Sequence, residues 1–124
     1  MPEETSHDLD GASLAAEAAA KFCCTVILKG ATSFVATSFG EVLQIDSSEN
    51  PTSGWLATAG SGDVLAGLVT GLLARGFETK EAALIAIELH LRCAEMAGPG
   101  LISEDLPEQL PKVFAEMLPL STSV

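Results

Sequence analysis

Residues 56–76 read LATAGSGDVLAGLVTGLLARG, a Gly-Ser-Gly turn that runs directly into a long apolar helix. Such a turn leaves several backbone N–H groups unpaired at the positive end of the helix dipole, which makes a built-in anion site. Gly60 and Gly62 carry no side chain to stop a phosphate from approaching, and Ser61 adds a hydroxyl donor. The stretch is not a Walker A loop, because it lacks the Gly-Lys-Ser/Thr ending. Asp63 at the helix start has two readings. It can cap the helix, or it can accept a proton from a substrate hydroxyl beside a bound phosphate. A carboxylate repels a phosphate, so the second reading requires that Asp63 act on a reacting group. From Asp63 onward, Val64, Leu65, Leu68, Val69, Leu72 and Leu73 make the helix apolar over most of its circumference. That pattern predicts a central, buried helix, with Gly67 and Gly71 letting neighbours approach closely and Gly76 stopping it in the left-handed region.

Upstream of the motif, Asp46–Gly54 (DSSENPTSG) is loop by composition. Ser33–Ala36 and Glu41–Ile45 are separated by Thr37-Ser38-Phe39-Gly40 and read as a hairpin at a sheet edge or in a flap, with Gly40 supplying a positive φ. Cys23–Leu28 (CCTVIL) is apolar without alternation, which predicts a strand covered on both faces, as in a parallel sheet behind a crossover helix. That helix is predicted over Asp10–Phe22, with Asp10 as its N-cap, after a flexible lead-in over residues 1–9. Downstream, Thr79 can cap a helix carrying Ala83, Leu84, Ile87, Leu91 and Ala94, which ends at Gly98-Pro99-Gly100. A last helical segment over Ser103–Leu118, capped by Ser103, should be broken by Pro107 and Pro111, leaving 119–124 as a tail.

The 124 residues hold 6 Lys+Arg against 17 Asp+Glu, a net charge of −11, which disfavours binding to nucleic acid. With 48% hydrophobic and 19% charged residues, the chain is too apolar for a disordered acidic tail and fits one domain or part of one. No apolar run reaches the length of a bilayer span, and the acidic start MPEET is unlike a basic leader, so a reducing cytoplasmic setting is expected. Cys23, Cys24 and Cys93 do not suggest a disulfide framework. His90 and Cys93 share a helical face, but two ligands are too few for a structural zinc, so core packing is the expected role and no metal site is assigned.

The 56–76 stretch, preceded in order by Val26–Ala31 (VILKGA) and Asn50-Pro51, resembles the ribokinase-like NAD(P)H-hydrate dehydratase family. Glu81-Ala82-Ala83, His90 and Gly100–Leu106 look like the family's later helices and closing segment. The resemblance covers residues 10–118 but only the second half of the family's domain. It implies an α/β fold, the C-terminal half of a three-layer α/β/α sandwich. The implied activity is ADP- or ATP-dependent dehydration of hydrated NADH or NADPH, with Mg2+ as a candidate companion of the nucleotide. By the same resemblance, Asp63 is the catalytic acid/base and Gly60, Ser61 and Gly62 form the anion hole, with Gly62 touching the nucleotide. Lys29, Gly30, Ala31, Thr32 and Ser33 match a nucleotide-binding loop, although Lys29 also reads as a solvated strand-end lysine. Asn50 is a further loop contact, in a segment whose register departs from the family, and Trp55 there is either a lid or a packed aromatic. The missing half implies an uncovered sheet edge, and with it an oligomer or a complementing N-terminal half. Two rival functions stay open: a non-catalytic nucleotide- or protein-binding remnant, and a small-molecule kinase.

Overall fold

The structure, a computed structural model, describes residues 2–30, 32–46 and 60–117. The chain opens on helix α1 (Pro2–Phe22). Helical backbone begins at Pro2, where a proline's missing N–H costs no intrahelical bond. Asp10 therefore lies within the helix rather than at its N-cap, and residues 2–9, expected as a lead-in, belong to the helical backbone. The helix passes through Gly11 because the Phe34 ring packs there: a Cβ on Gly11 would stand 2.6 Å from Phe34 Cε2. It ends at Cys23, which takes φ 55, with the Cys24 N–H donating to the Ala19 carbonyl at 3.2 Å. This is the left-handed closure usually made by glycine.

Strands β1 (Val26–Leu28), β2 (Thr32–Ala36) and β3 (Val42–Asp46) follow as one antiparallel sheet in the order β1-β2-β3. Val26 faces Ala36 across the first pair, and Ala36 faces Val42 across the second. The β2–β3 hairpin expected around Gly40 (φ 98) is present. The parallel arrangement expected of Cys23–Leu28 is not. Only Lys29, Gly30 and Ala31 separate β1 from β2, too few residues for a crossover, so the strands must reverse. Cys23 and Cys24 lie outside the strand and are exposed. The strand buried on both faces is β2, expected at an edge: Ser33 to Ala36 are all buried. Its alternation puts Phe34 and Ala36 against Ala15 and Ala19 of α1, while Val35, fully buried, faces the other way.

The chain continues through α2 (Ser61–Ala74) and α3 (Thr79–Ala97), of which α3 contacts β2, then the short α4 (Asp105–Glu108) and α5 (Leu110–Met117), which pack on α3. The break expected from Pro107 and Pro111 falls between α4 and α5. Leu89, Cys93 and Ala94 of α3 pack with Leu101, Leu106 and Val113, flanked by Val64, Leu68 and Leu72 of α2. Gly76 (φ 97) and Gly98 (φ 87) end α2 and α3 as expected. Thr79 does not cap α3. The N-cap is Glu78, and the Thr79 hydroxyl instead bonds Thr25 at 2.6 Å, tying the start of α3 to the entry of β1. Nor does Ser103 cap the last segment; its hydroxyl donates to Glu104 at 3.2 Å.

Helix α2 is less enclosed than its composition predicts. Only Ser61 and Leu65 are buried, Leu73 is 41% exposed, and Cβ atoms on Gly67 or Gly71 would meet nothing within 4 Å. One face of α2 packs on α3. The opposite face has no cover among the described residues.

Candidate functional site

The Gly-Ser-Gly turn leads directly into α2. Gly60 is the N-cap of α2 with φ 89, a conformation that a side chain resists, and no side chain caps the helix. The Asp63 and Val64 N–H groups fold back on the Gly60 carbonyl at 3.1 and 3.3 Å. Ser61 is buried while Gly60, Gly62 and Asp63 are exposed, so the turn has one anchored residue between two open glycines. The capping role for Asp63 is not realised: its carboxylate sits at the third position of the helix, exposed, in the first turn.

Three other segments reach this turn. Lys29, in the β1–β2 connection, extends its ammonium to Gly62, where a Cβ would stand 3.1 Å from Nζ. Ser103, just past α3, closes on Gly60, whose Cβ would stand 2.8 Å from Oγ. His90, on α3, lies buried against Ser61, with Nε2 lacking a partner among the described residues. Burial holds the His90 ring below its ordinary value of 6.5, helped by the Lys29 charge and opposed by a hydrogen bond to the Ser61 backbone. The two glycines therefore form a cradle that any side chain would fill, open on one side and overhung by a cation. That cradle fits a phosphate-bearing ligand.

The rest of the expected nucleotide loop is tied within itself. The Ser33 hydroxyl donates to the Gly30 carbonyl at 3.2 Å and accepts from the Gly30 N–H at 3.3 Å. Thr32 donates to Asp46 Oδ1 at 3.5 Å, on the sheet. Among the described residues of that loop, Lys29 is the one brought to the glycine turn. Ala31, Asn50, Trp55 and residues 56–59 lie outside the described residues. His90 and Ser103 were placed by sequence as a core residue and a helix cap. Their place at the turn has no signal in spacing, since His90 sits on an apolar stripe like any core position. His90 and Cys93 are both buried as expected, and burial pushes the Cys93 thiol up to about 11. Among the described residues no cluster of three His, Cys, Asp or Glu could hold a metal ion, and no helix is long and apolar enough to cross a membrane. An open cavity of about 670 Å³ lies elsewhere, lined by Cys23, Cys24, Phe39, Glu41, Glu78 and Lys80 among others, and includes none of the turn residues.

Helices packed on a small antiparallel sheet, with a glycine turn at a helix start, match the carbohydrate-kinase-like dehydratase fold. A family model described as NAD(P)H-hydrate dehydratase matches residues 4–113, and the chain belongs to that family. It is 35% identical over 109 residues to the ADP-dependent (S)-NAD(P)H-hydrate dehydratase of Bacillus subtilis, covering 83% of this chain and 38% of the relative. It is 42% identical over 84 residues to the bifunctional NAD(P)H-hydrate repair enzyme Nnr of Mycobacterium leprae, covering 64% of this chain and 17% of that protein. The crystal structure of the ADP/ATP-dependent NAD(P)H-hydrate dehydratase from Bacillus subtilis co-crystallized with ATP/Mg2+ superposes with a TM-score of 0.72 at 32% identity, over 85% of this chain and 38% of that one. The chain thus spans less than two-fifths of the length of each of these relatives.

Proposed function

We propose that the chain carries the nucleotide-phosphate site and the acid/base residue of an ADP- or ATP-dependent dehydratase acting on hydrated NADH or NADPH. The observation that carries this reading is the meeting of the Lys29 ammonium with the Gly60–Gly62 turn at the N-terminus of α2. In this reading Gly60, Ser61 and Gly62 receive phosphate oxygens on their N–H groups, and Lys29 supplies the counter-charge. Gly30, Ala31, Thr32 and Ser33 shape the loop that presents Lys29, Asn50 is a further contact, and Mg2+ arrives with the nucleotide. Asp63, exposed beside the cradle, handles the proton of the departing hydroxyl. A nucleotide, when bound, supplies phosphate chemistry at the cradle.

The remaining parts of the site come from a complementing N-terminal polypeptide or from self-association. The uncovered face of α2 and the exposed Leu14 and Phe22 of α1 support this. The setting we propose is the cytoplasm. Hydrated NADH and ADP or ATP should be incubated with the chain, alone and with a first-half polypeptide, while NADH absorbance is followed. Return of the absorbance in either mixture supports the reading. Folded protein that restores none in both refutes it. Nucleotide binding without turnover in both mixtures would identify the chain as a non-catalytic binding module. A phosphate ester as product would identify a kinase.

A further inference from the structure

We propose that Cys23 and Cys24 form a two-thiolate site for a soft monovalent cation, Cu(I), in the open cavity at the start of β1. The site is separate from the glycine turn. Cys24 and Thr25 enter β1 at the end away from Lys29, and no residue of the turn lines the cavity.

This pair is unlike cysteines that merely pack. Free cysteine is among the most buried of residues, yet Cys23 and Cys24 are both exposed, while Cys93 is buried. Cys23 is the one described residue other than glycine with a positive φ, 55, and it takes it at a helix end where glycine would carry no penalty. Adjacent side chains within a strand point to opposite faces. Here the left-handed residue precedes β1, and both cysteines line the same cavity. A conformation that disfavours any side chain is therefore kept at a residue whose thiol shares one open space with its neighbour's.

The walls of that space are tied together. Thr25 bonds Thr79 at 2.6 Å and Lys80 pairs with Glu41 at 3.2 Å, so the entry of β1, the hairpin and the start of α3 hold their places around the thiols. With Lys80 neutralised by Glu41, the carboxylate of Glu78 leaves the lining net negative, in a chain of net charge −11. That favours a cation over an anionic thiol reagent.

The number of ligands selects the ion. Among the described residues no three His, Cys, Asp or Glu converge, so zinc, which takes four ligands in a structural site, is not served. Thiolates prefer soft ions, and Cu(I) is satisfied by two sulfurs. Two S–H bonds break and two Cu–S bonds form, both protons pass to solvent, and copper keeps its oxidation state. The Cys23 thiol otherwise leans on the Ala20 carbonyl at 3.8 Å, a weak contact that a metal–sulfur bond replaces.

The full chain, reduced and kept anaerobic, should be titrated with Cu(I) in competition with the chromophoric chelator bicinchoninate. Wild type should take one Cu(I) per chain, and X-ray absorption should show two sulfur neighbours on the metal. Cys23→Ser and Cys24→Ser should each weaken binding by about a hundredfold or more, since each removes half of the soft ligand set. Cys23→Gly should also lose the ion while its melting temperature rises, because glycine accepts the left-handed conformation. Wild-type affinity in either serine variant overturns the proposal, as does copper with a single sulfur neighbour or one Cu(I) shared between two chains. If Cys23→Ser does not fold, Cys23→Gly and Cys24→Ser carry the same test, and retention of copper by either overturns the site.

Discussion

Replacing Gly62 by alanine should strengthen the fold and weaken the site. Gly62 is the second residue of α2, and the positive φ of the turn belongs to Gly60, so a methyl at 62 meets no backbone strain. In a helix, alanine is favoured over glycine by about 0.5–1 kcal/mol. The new Cβ would stand 3.1 Å from Lys29 Nζ, slightly too close, but the ammonium is the tip of a flexible chain and can withdraw cheaply. The net expectation is a gain of roughly 0.5 kcal/mol in stability. The withdrawal is what harms the site, because it moves the cation off the cradle while the methyl occupies the approach of the anion. Loss of one charge-assisted contact is worth about 1.5 kcal/mol, or about tenfold in affinity. Thermal unfolding and calorimetric titration with ADP on the same preparation separate the two effects. An ADP affinity within about twofold of wild type would refute the cradle, and a lowered melting temperature would refute the local geometry. In a Lys29→Gln background the methyl should cost less affinity than in wild type, because the two changes act on one contact.

Gly60→Ala should do the reverse, destabilising by about 2 kcal/mol or more in denaturant unfolding, because it combines φ 89 with a Cβ 2.8 Å from Ser103 Oγ. Gly11→Ala should also destabilise, by about 1–2 kcal/mol, since its Cβ would stand 2.6 Å from the Phe34 ring and that contact outweighs the gain in helix propensity. Asp63→Asn should leave ADP affinity at least as high as in wild type and change stability by less than about 1 kcal/mol, the worth of one acidic residue near a helix start. In a complemented, active preparation it should abolish turnover, and wild-type turnover would remove Asp63 from the chemistry. Because His90 is held below 6.5 in the folded chain, the unfolded chain takes its proton first. That contribution to stability is intact above 6.5 and is lost as pH falls below it, so stability should fall less steeply with acid in His90→Gln, by up to about 1.4 kcal/mol per pH unit.

The elements that were legible in the sequence are those fixed by local chemistry. Gly40 turned the hairpin, Gly76 and Gly98 ended two helices, and Pro111 kept α4 and α5 apart, because a positive φ or a missing N–H acts within a few residues. The glycine turn was legible for the same reason, and with it the helix start where Lys29 converges. The place of His90 was not, because spacing puts it on the buried face of α3 without showing what that face meets. Only the fold shows that the start of α2 lies against it.

The misplaced centre of the sheet has a different cause. An apolar run records how many faces of a strand are meant to be covered, not which strands of this chain cover them. Cys23–Leu28 reads as covered on both faces, yet none of Val26, Ile27 and Leu28 is fully buried, and β2 takes the central place. Helix α2 shows the same mismatch, apolar nearly all round but packed on one face. Both patterns suit a domain larger than this chain, which spans 38% of the structure it superposes on. Caps, turns and breakers answer to their immediate neighbours and can be read from a fragment of a fold. Hydrophobic periodicity answers to every layer of the finished domain, so in this chain it describes contacts of which only some are present among the described residues.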